Sequence, residues 1–229
     1  MPTILSIQKN EIALKPEDFL ETARYLGYNK ANPPDEQVMG MIKAACKELF
    51  VVVAPKAVFD SFDLTVAFEK GKGRCESDNQ EELEQLENKH EPGKSKISFA
   101  DVVFYSESLG INLKDCRQVF LVAVTIGPQV DALIRRTQVL DSVKASIMQA
   151  AGAMFAEKTI ELINAQIKDL AASQNKKCKP RFSPGYGDVP LTIQKDFFRL
   201  LPCSKIGLSL MDTLIMSPEK SITAFIGLL

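Results

Sequence analysis

The sequence is poor in the residues that most often build metal centres and nucleophilic active sites. Its only histidine, His90, lies in a charged stretch. This excludes a metal centre of several histidines, and a Ser-His-Asp or Cys-His catalytic arrangement is not expected. The cysteines form no Cys-x-x-Cys pair and are dispersed, at Cys46, Cys75, Cys116, Cys178 and Cys203. Such a set is typical of free thiols rather than of disulfides or a metal site.

The chain also lacks long apolar runs and an excess of charge of either sign. No run approaches the roughly 20 apolar residues that cross a bilayer, and the first residues, MPTILSIQKNEIAL, do not have the layout of a signal peptide. The net charge is −1, which argues against a broad nucleic-acid-binding surface. We therefore expect a cytoplasmic protein that binds neither nucleic acid nor a membrane.

The residues that are present suit a globular α+β domain. Apolar residues make up 45% and charged residues 25% of the 229 residues, enough to bury a core without metal or disulfide. Helical spacing of apolar residues predicts helices over 15–29, 32–53, 127–138, 140–173 and 188–201. Apolar runs predict strands over 56–70, 96–110, 116–127 (central in its sheet), 204–216 and 221–229. Without a regular βαβ repeat, we predict one domain over 1–229 with a largely antiparallel twisted sheet flanked by helices.

Two connections can be interpreted from their local chemistry. Asp188 is placed to cap the helix over 188–201, which Pro190 opens. The segment SPEK predicts a turn that joins the strands over 204–216 and 221–229.

A polar insertion interrupts the predicted strands at about 70–96. The stretch from Lys70 to Lys96 is almost wholly polar and carries glycines at both ends. Low hydrophobicity predicts a solvated insertion or a long hairpin tip, and a docking surface for a partner is the alternative.

The middle of the longest predicted helix, from Ala145 to Ala156, is rich in small residues. Small side chains allow a ligand or another backbone to come close. Tight packing of the helix against the sheet is the simpler interpretation of most of these positions.

The segment KCKPRFSPGYGDVPLTIQKDF, from Lys177 to Phe197, is unusually dense in proline and glycine. Pro184 fixes its own φ and pushes Ser183 towards an extended backbone. Gly185 can adopt φ values closed to other residues and lets a ligand approach the main chain. The segment predicts backbone polar groups exposed in a fixed geometry, which suits an adenine-like ring. A rigid connection between two helices is the alternative.

Three side chains add charge and a flat apolar face to this segment. Arg181 offers a fork of donors suited to a carboxylate, and the ring face of Tyr186 attracts cations. Glu157 lies on the long helix two turns beyond Gln149, with Ala153 between them, and could meet an ammonium or a sulfonium. Together these groups suit a zwitterionic, cationic nucleoside, whereas Glu157 taken alone would be a solvated helix position.

The sequence RFSPGYGDVPLTIQ, which begins at Arg181, resembles the Arg-x-x-Pro-Gly-Tyr signature of the activation domain of cobalamin-dependent methionine synthase. The likeness is strongest to stand-alone proteins of that family. It extends to other blocks of the chain: ARYLGY, APKAVFDSFDL, VFLVAVTIGPQVDALIRR, QAAGAMFAEKTIELI and LSLMDTLIMSPEKSITAFIGL. The resemblance therefore covers most of the sequence outside the polar insertion.

The resemblance implies a domain that binds S-adenosylmethionine and places its methyl group over an inactive cob(II)alamin held by another module. A reductase supplies one electron, and methylcobalamin is the product. Matched residue by residue, the family's ligand contacts fall on Glu157, Arg181, Ser183, Gly185 and Tyr186. A C-terminal tyrosine and an N-terminal aspartate of the family's site have no assigned counterpart here.

The cobalamin-binding motif Asp-x-His-x-x-Gly is absent, because the only histidine lies in NKHEPG. Any cobalamin is therefore expected on a partner protein. The resemblance implies an accessory protein, without catalytic residues of its own, that reactivates a separate methionine synthase or another corrinoid protein. A flavodoxin-like or iron–sulfur protein is the expected reductant.

Two other hypotheses remain open from the residues. The first is a scaffold that docks a corrinoid-binding partner without using S-adenosylmethionine, with the charged insertion or the C-terminal end of the sequence as its surface. The second is a nucleotide- or phosphate-binding protein that uses TIGPQ at a helix N-terminus, although Pro128 removes one donor there.

Overall fold

The computed structural model describes residues 1–68 and 94–229. Within these residues the chain forms six α-helices: α1 (Pro16–Tyr25), α2 (Glu36–Val52), α3 (Glu107–Asn112), α4 (Pro128–Leu140), α5 (Ser142–Ser173) and α6 (Gln194–Leu200). It also forms eight β-strands there: β1 (Thr3–Ser6), β2 (Lys56–Phe68), β3 (Ser95–Phe99), β4 (Val102–Ser106), β5 (Gln118–Thr125), β6 (Ser209–Leu210), β7 (Met216–Ser217) and β8 (Ser221–Leu228). Short 3₁₀ turns lie at Lys9–Ile12, Leu191–Ile193 and Cys203–Ile206.

The main sheet is antiparallel and runs in the order β4-β3-β2-β5-β8, with β1 also paired to β2. The long strand β2 joins two parts of this sheet, because residues 56–63 pair with β5 and residues 64–68 pair with β3. The prediction of an α+β fold with a largely antiparallel sheet flanked by helices is confirmed. The limits of the domain, 1–229, stay a prediction.

Strand β5 lies between β2 and β8 and is buried on both faces, as its continuous apolar sequence predicts. Its residues alternate between two hydrophobic clusters. Phe120, Val122 and Val124 pack with α1, α2, α4 and α5 on one face. Val119 and Leu121 pack with α6 and the 3₁₀ turn at Cys203–Ile206 on the other.

The predicted strand over 96–110 is wrong in one respect, because it is a hairpin followed by a helix. Phe99 pairs with Val102 across a two-residue turn, in which Ala100 has a φ of +47°. Hairpin turns of this kind usually carry Asn-Gly or Asp-Gly. The alanine at the positive φ explains why the turn left no signal in the sequence.

The predicted strand over 204–216 is also wrong in most of its length. It begins with the 3₁₀ turn at Cys203–Ile206, and only Ser209–Leu210 and Met216–Ser217 form strands, which pair with each other. The segment SPEK therefore connects this small ribbon to β8, and β8 pairs with β5 instead.

Asp188 does not cap the helix that follows it. Its carboxylate accepts hydrogen bonds from Ser106 Oγ at 2.6 Å, from the Glu107 amide at 2.7 Å and from the Ser108 amide at 3.1 Å. These amides belong to the first turn of α3, so Asp188 ties the proline- and glycine-rich segment to a distant helix. The burial of Asp188 raises its pKa, but these hydrogen bonds outweigh it and lower the pKa to about 2.

One small residue of α5, Gly152, serves packing against a neighbouring side chain. A Cβ atom added to Gly152 would lie 3.1 Å from Lys220 Cε, so the aliphatic part of this lysine fills the space. Asp141 caps the start of this helix, because its side chain accepts a hydrogen bond from the Lys144 amide at 2.9 Å.

Most of the predicted insertion at about 70–96 lies outside the described residues, and strand β3 already begins at Ser95. Across residues 1–68 and 94–229, none of the helices combines the length and the apolar character that a membrane span needs.

Candidate ligand-binding cleft

The segment before the Pro-Gly-Tyr turn is fixed along the outer edge of β8. Phe182 exchanges two backbone hydrogen bonds with Phe225, of 2.9 and 2.7 Å, and the Lys179 amide donates to the Gly227 carbonyl at 2.8 Å. The ring of Phe225 packs on Phe197 with 4.8 Å between the ring centroids. The segment therefore covers the sheet edge and is attached to the core, which gives Arg181 a defined position.

The Ser-Pro-Gly-Tyr stretch forms a compact turn. The Tyr186 amide donates to the Ser183 carbonyl at 3.2 Å, and the Gly185 amide donates to the Val189 carbonyl at 3.0 Å. Gly185 has a φ of +87°, which favours glycine, and a Cβ there would lie 3.2 Å from Leu191 Cδ1. The Gly185 N–H is used within the turn and is not presented to a ligand.

This turn and helix α5 line an open cleft of about 680 Å³. Ten residues line it: Glu157, Glu161, Asn164, Lys168, Cys178, Pro180, Arg181, Phe182, Ser183 and Tyr186. Four of the five predicted ligand contacts are therefore brought together. The fifth, Gly185, supports the turn beside the cleft without lining it.

Arg181 lies between two carboxylates of α5. Its Nε donates to Glu161 Oε1 at 2.9 Å, and its Nη2 forms an ion pair with Glu157. Burial lowers the pKa of Arg181, but the hydrogen bonds and the two nearby carboxylates outweigh it and raise the pKa overall. Two negative charges and one positive charge leave this cluster with a net charge of −1.

Glu161 was not among the predicted site residues. Burial raises its pKa, and the hydrogen bonds from Arg181 and Asn164 outweigh this effect, so the pKa of Glu161 is lowered. Asn164 and Lys168 were missed as well. All three follow Glu157 at helical spacing, at positions 4, 7 and 11 residues beyond it, and this spacing is the signal that could have found them.

Tyr25, at the end of α1, lies near the same charged cluster. Burial raises the pKa of its phenol, and the carboxylate of Glu157 raises it further. Tyr186, on the other wall, is 69% exposed, so its ring face is available to a ligand or to a partner surface.

The start of α4, in the TIGPQ segment, is poorly suited to a phosphate. Asp131 stands in its first turn, is buried, and accepts a hydrogen bond from the Glu219 amide at 2.7 Å. A second anion there would meet this carboxylate. Over residues 1–68 and 94–229, no group of three or more His, Cys, Asp or Glu side chains is arranged to hold a metal ion.

The structure is an α+β domain, in which a curled antiparallel sheet is flanked by helices. A cleft lined by both positive and negative side chains lies between the long helix and the edge of the sheet. The chain belongs to the family of the activation domain of vitamin B12 dependent methionine synthase, whose family model matches residues 12–228. Among solved structures it is similar to the MetH reactivation domain bound to AdoHcy, with a TM-score of 0.60 and 13% identity over 99% of this chain and 78% of that chain. This likeness shows the fold. No curated protein matches the sequence.

Proposed function

We propose that this protein binds S-adenosylmethionine in the cleft between α5 and the Pro-Gly-Tyr turn, and assists the reductive methylation of a cobalamin carried by a separate protein. The observation that carries the proposal is the convergence of Glu157, Arg181, Ser183 and Tyr186 on one cleft of about 680 Å³. Membership of the activation-domain family supports it.

The residues of the cleft fit a cationic, zwitterionic nucleoside in size and in charge. The volume is within the roughly 300–1,000 Å³ of small-molecule sites. The Glu157–Arg181–Glu161 cluster carries a net charge of −1 and favours an ammonium or a sulfonium. Asn164 also lines the cleft, and its side-chain nitrogen donates to Glu161 Oε2 at 3.3 Å.

The chain's own contribution is binding and orientation. When bound, S-adenosylmethionine supplies a methyl group on a positively charged sulfur, and the reaction needs a cobalamin from the partner and one electron from a reductant. Glu157 faces the cation, Tyr186 offers a flat surface, and the rigid turn holds Ser183 and Arg181 in place. Fixing the donor relative to the cobalt is the main effect such a domain can have on the rate.

The partner we propose is a methionine synthase without its own activation domain or another corrinoid protein, with a flavodoxin-like or iron–sulfur protein as the reductant. We propose a cytoplasmic setting, because cysteines dispersed in this way are typical of a reducing compartment.

Titration calorimetry with S-adenosylmethionine tests the proposal. We expect the wild type to bind it, and Arg181→Ala to bind it at least about tenfold more weakly, a loss of roughly 1.4 kcal/mol. Arg199→Ala is the matched control, because Arg199 pairs with Asp101 and Asp196 outside the cleft. No binding by the wild type at millimolar ligand would contradict the proposal. Capture of a corrinoid protein without any nucleoside binding would favour the scaffold hypothesis instead.

A further inference from the structure

The connection between α4 and α5 exposes three large apolar side chains that the core does not use. Val139 is 85% exposed, Leu140 82% and Val143 59%. In the part of the chain that the structure describes, Met1 is the only large apolar residue more exposed than the first two. Single exposed apolar residues are ordinary at protein surfaces, but three within five positions form a patch, and such patches mark contact surfaces.

Two arginines stand beside this apolar patch. Arg135 and Arg136 are exposed on the outer face of α4, four residues before Val139 and Leu140 respectively, so each arginine lies one helical turn from an apolar residue. Within residues 1–68 and 94–229, neither guanidinium makes a hydrogen bond or an ion pair. We call these two arginines and the three apolar residues the α4–α5 corner.

The acidic groups next to the corner are engaged elsewhere. Asp141 accepts a hydrogen bond from the Lys144 amide as the cap of α5, and the Lys144 ammonium pairs with Glu48 at 2.7 Å. The corner therefore keeps an excess of positive charge beside its apolar residues. A protein surface that complements it is acidic around an apolar centre.

The size and the charge of the corner do not suit a second copy of this chain. A stable interface buries about 800 Å² on each partner, and three exposed side chains are too few to supply such an area. A symmetric contact between two copies would also place the same arginines on both sides of the interface. We therefore expect a transient contact with a different protein.

The position of the corner relative to the cleft indicates which protein this is. Val143 precedes Glu161 by 18 residues, which is five helical turns, so the two residues lie on one line along α5 and about 27 Å apart. Under the proposed function, the protein that carries the cobalamin has to sit over the cleft. A small domain is about 30 Å across, so a carrier seated there can also reach the corner. The reductant has to reach the cobalt rather than this end of the helix.

We propose that the α4–α5 corner is a second docking contact for the cobalamin-carrying protein. Arg135 and Arg136 face acidic side chains of that protein, and Val139, Leu140 and Val143 face apolar ones. The contact holds the carrier over the cleft and takes no part in binding the nucleoside. This inference rests on the proposed function and deepens it by assigning a surface to the partner.

Biolayer interferometry with a cob(II)alamin-loaded methionine synthase that lacks its own activation domain tests the assignment. We expect the double variant Arg135→Glu/Arg136→Glu to bind this probe at least about tenfold more weakly than the wild type at about 50 mM salt, mainly through slower association. The difference should shrink at about 0.5 M salt, where exposed charges are screened. Leu140→Ser should weaken binding about threefold at both salt concentrations. Leu140 is exposed, so this variant keeps the fold.

The double variant Lys195→Glu/Lys205→Glu is the matched control. It makes the same change in charge at exposed positions of α6 and of the 3₁₀ turn at Cys203–Ile206, which pack on the opposite face of the sheet. We expect this control to bind the probe as the wild type does. All of these variants should bind S-adenosylmethionine with unchanged affinity in calorimetry.

The assignment is overturned if the corner variants bind the probe as the wild type does, or if the control loses as much affinity as they do. It is also overturned if the wild type is a stable dimer that Leu140→Ser dissociates, because the corner would then be an interface between copies. A wild type that binds no S-adenosylmethionine overturns the proposed function itself. The failure of the docking contact alone leaves that binding intact, so the two failures are distinguishable.

Discussion

Arg181 and Glu161 lie 20 positions apart in the chain, and their side chains meet with 2.9 Å between Nε and Oε1. The contact joins the edge-strand segment to the long helix across the candidate cleft. It also fixes the direction in which two glutamates of α5 point, because Arg181 binds Glu157 at the same time. This cluster, which spans two elements, therefore contributes a charge of −1 to the cleft, and Lys168, which also lines it, contributes +1.

The first prediction concerns the sulfonium. We expect Glu157→Gln to lower the affinity for S-adenosylmethionine about three- to tenfold, and to lower the affinity for S-adenosylhomocysteine much less, because that thioether carries no charge on sulfur. Calorimetry with both ligands measures the difference. Glu48→Gln on α2, a surface glutamate paired with Lys144, is the control. An equal loss for the two ligands would assign Glu157 to the ammonium rather than to the sulfur.

The second prediction concerns the carboxylate that ties the turn to α3. The pKa of Asp188 is lowered to about 2, so its stabilising effect is complete above its ordinary pKa near 4 and is lost as the pH falls towards 2. We expect Asp188→Asn to reduce the free energy of unfolding by about 1–2 kcal/mol at pH 7, allowing for screening by solvent.

Urea denaturation from pH 7 to pH 2 checks this effect. The difference between wild type and Asp188→Asn should shrink below about pH 4. Asp169→Asn, at an exposed position of α5, should change the free energy of unfolding little at any pH. A difference that is constant with pH would contradict a role for the ionised carboxylate.

The third prediction concerns the backbone of the turn. Gly185 has a φ of +87°, and a Cβ would come within 3.2 Å of Leu191 Cδ1. We expect Gly185→Ala to destabilise the protein by about 1–3 kcal/mol and to weaken ligand binding. Gly40→Ala is the opposite case, because nothing lies within 4 Å of its position in α2, and it should stabilise by roughly 0.5–1 kcal/mol. Thermal unfolding of the two variants measures whether each substitution raises or lowers stability. A Gly185→Ala variant more stable than the wild type would contradict the inference that the turn requires glycine.

The fourth prediction concerns cysteine labelling. Cys178 is half-buried and lines the cleft, whereas Cys46, Cys116 and Cys203 are buried. Burial raises the pKa of the Cys203 thiol to about 12. In a Cys75→Ser background, we expect N-ethylmaleimide to modify Cys178 roughly tenfold faster than the buried thiols.

Peptide mass spectrometry locates the label. Saturating S-adenosylhomocysteine should slow the labelling of Cys178, because the ligand would occupy the cleft that this residue lines. Protection of all cysteines to the same extent would indicate global stabilisation instead, and faster labelling of Cys116 would contradict the burial pattern.

The sequence could predict much of the fold because periodicity and caps are local properties. The helical spacing of α2 and α5 and the apolar run of β5 all indicated the observed elements. The hairpin turn at Ala100 was not predicted, because it lacks the glycine that such turns usually contain. Asp188 was assigned to the wrong helix because its partners, around Ser106, are 80 to 82 residues away in the chain.

The amino-acid sequence by itself determined that a rigid Pro-Gly-Tyr turn follows a long helix, since backbone stiffness depends on the residues of the turn alone. Helical spacing also puts Glu161 and Lys168 on the face of α5 that carries Glu157, although only Glu157 was predicted as a site residue. Only the tertiary structure decided that this face of α5 contacts Arg181 across the cleft. Pairing of the preceding segment with β8 brings the turn there, and contacts between residues far apart in the chain leave no periodic signal in a single sequence.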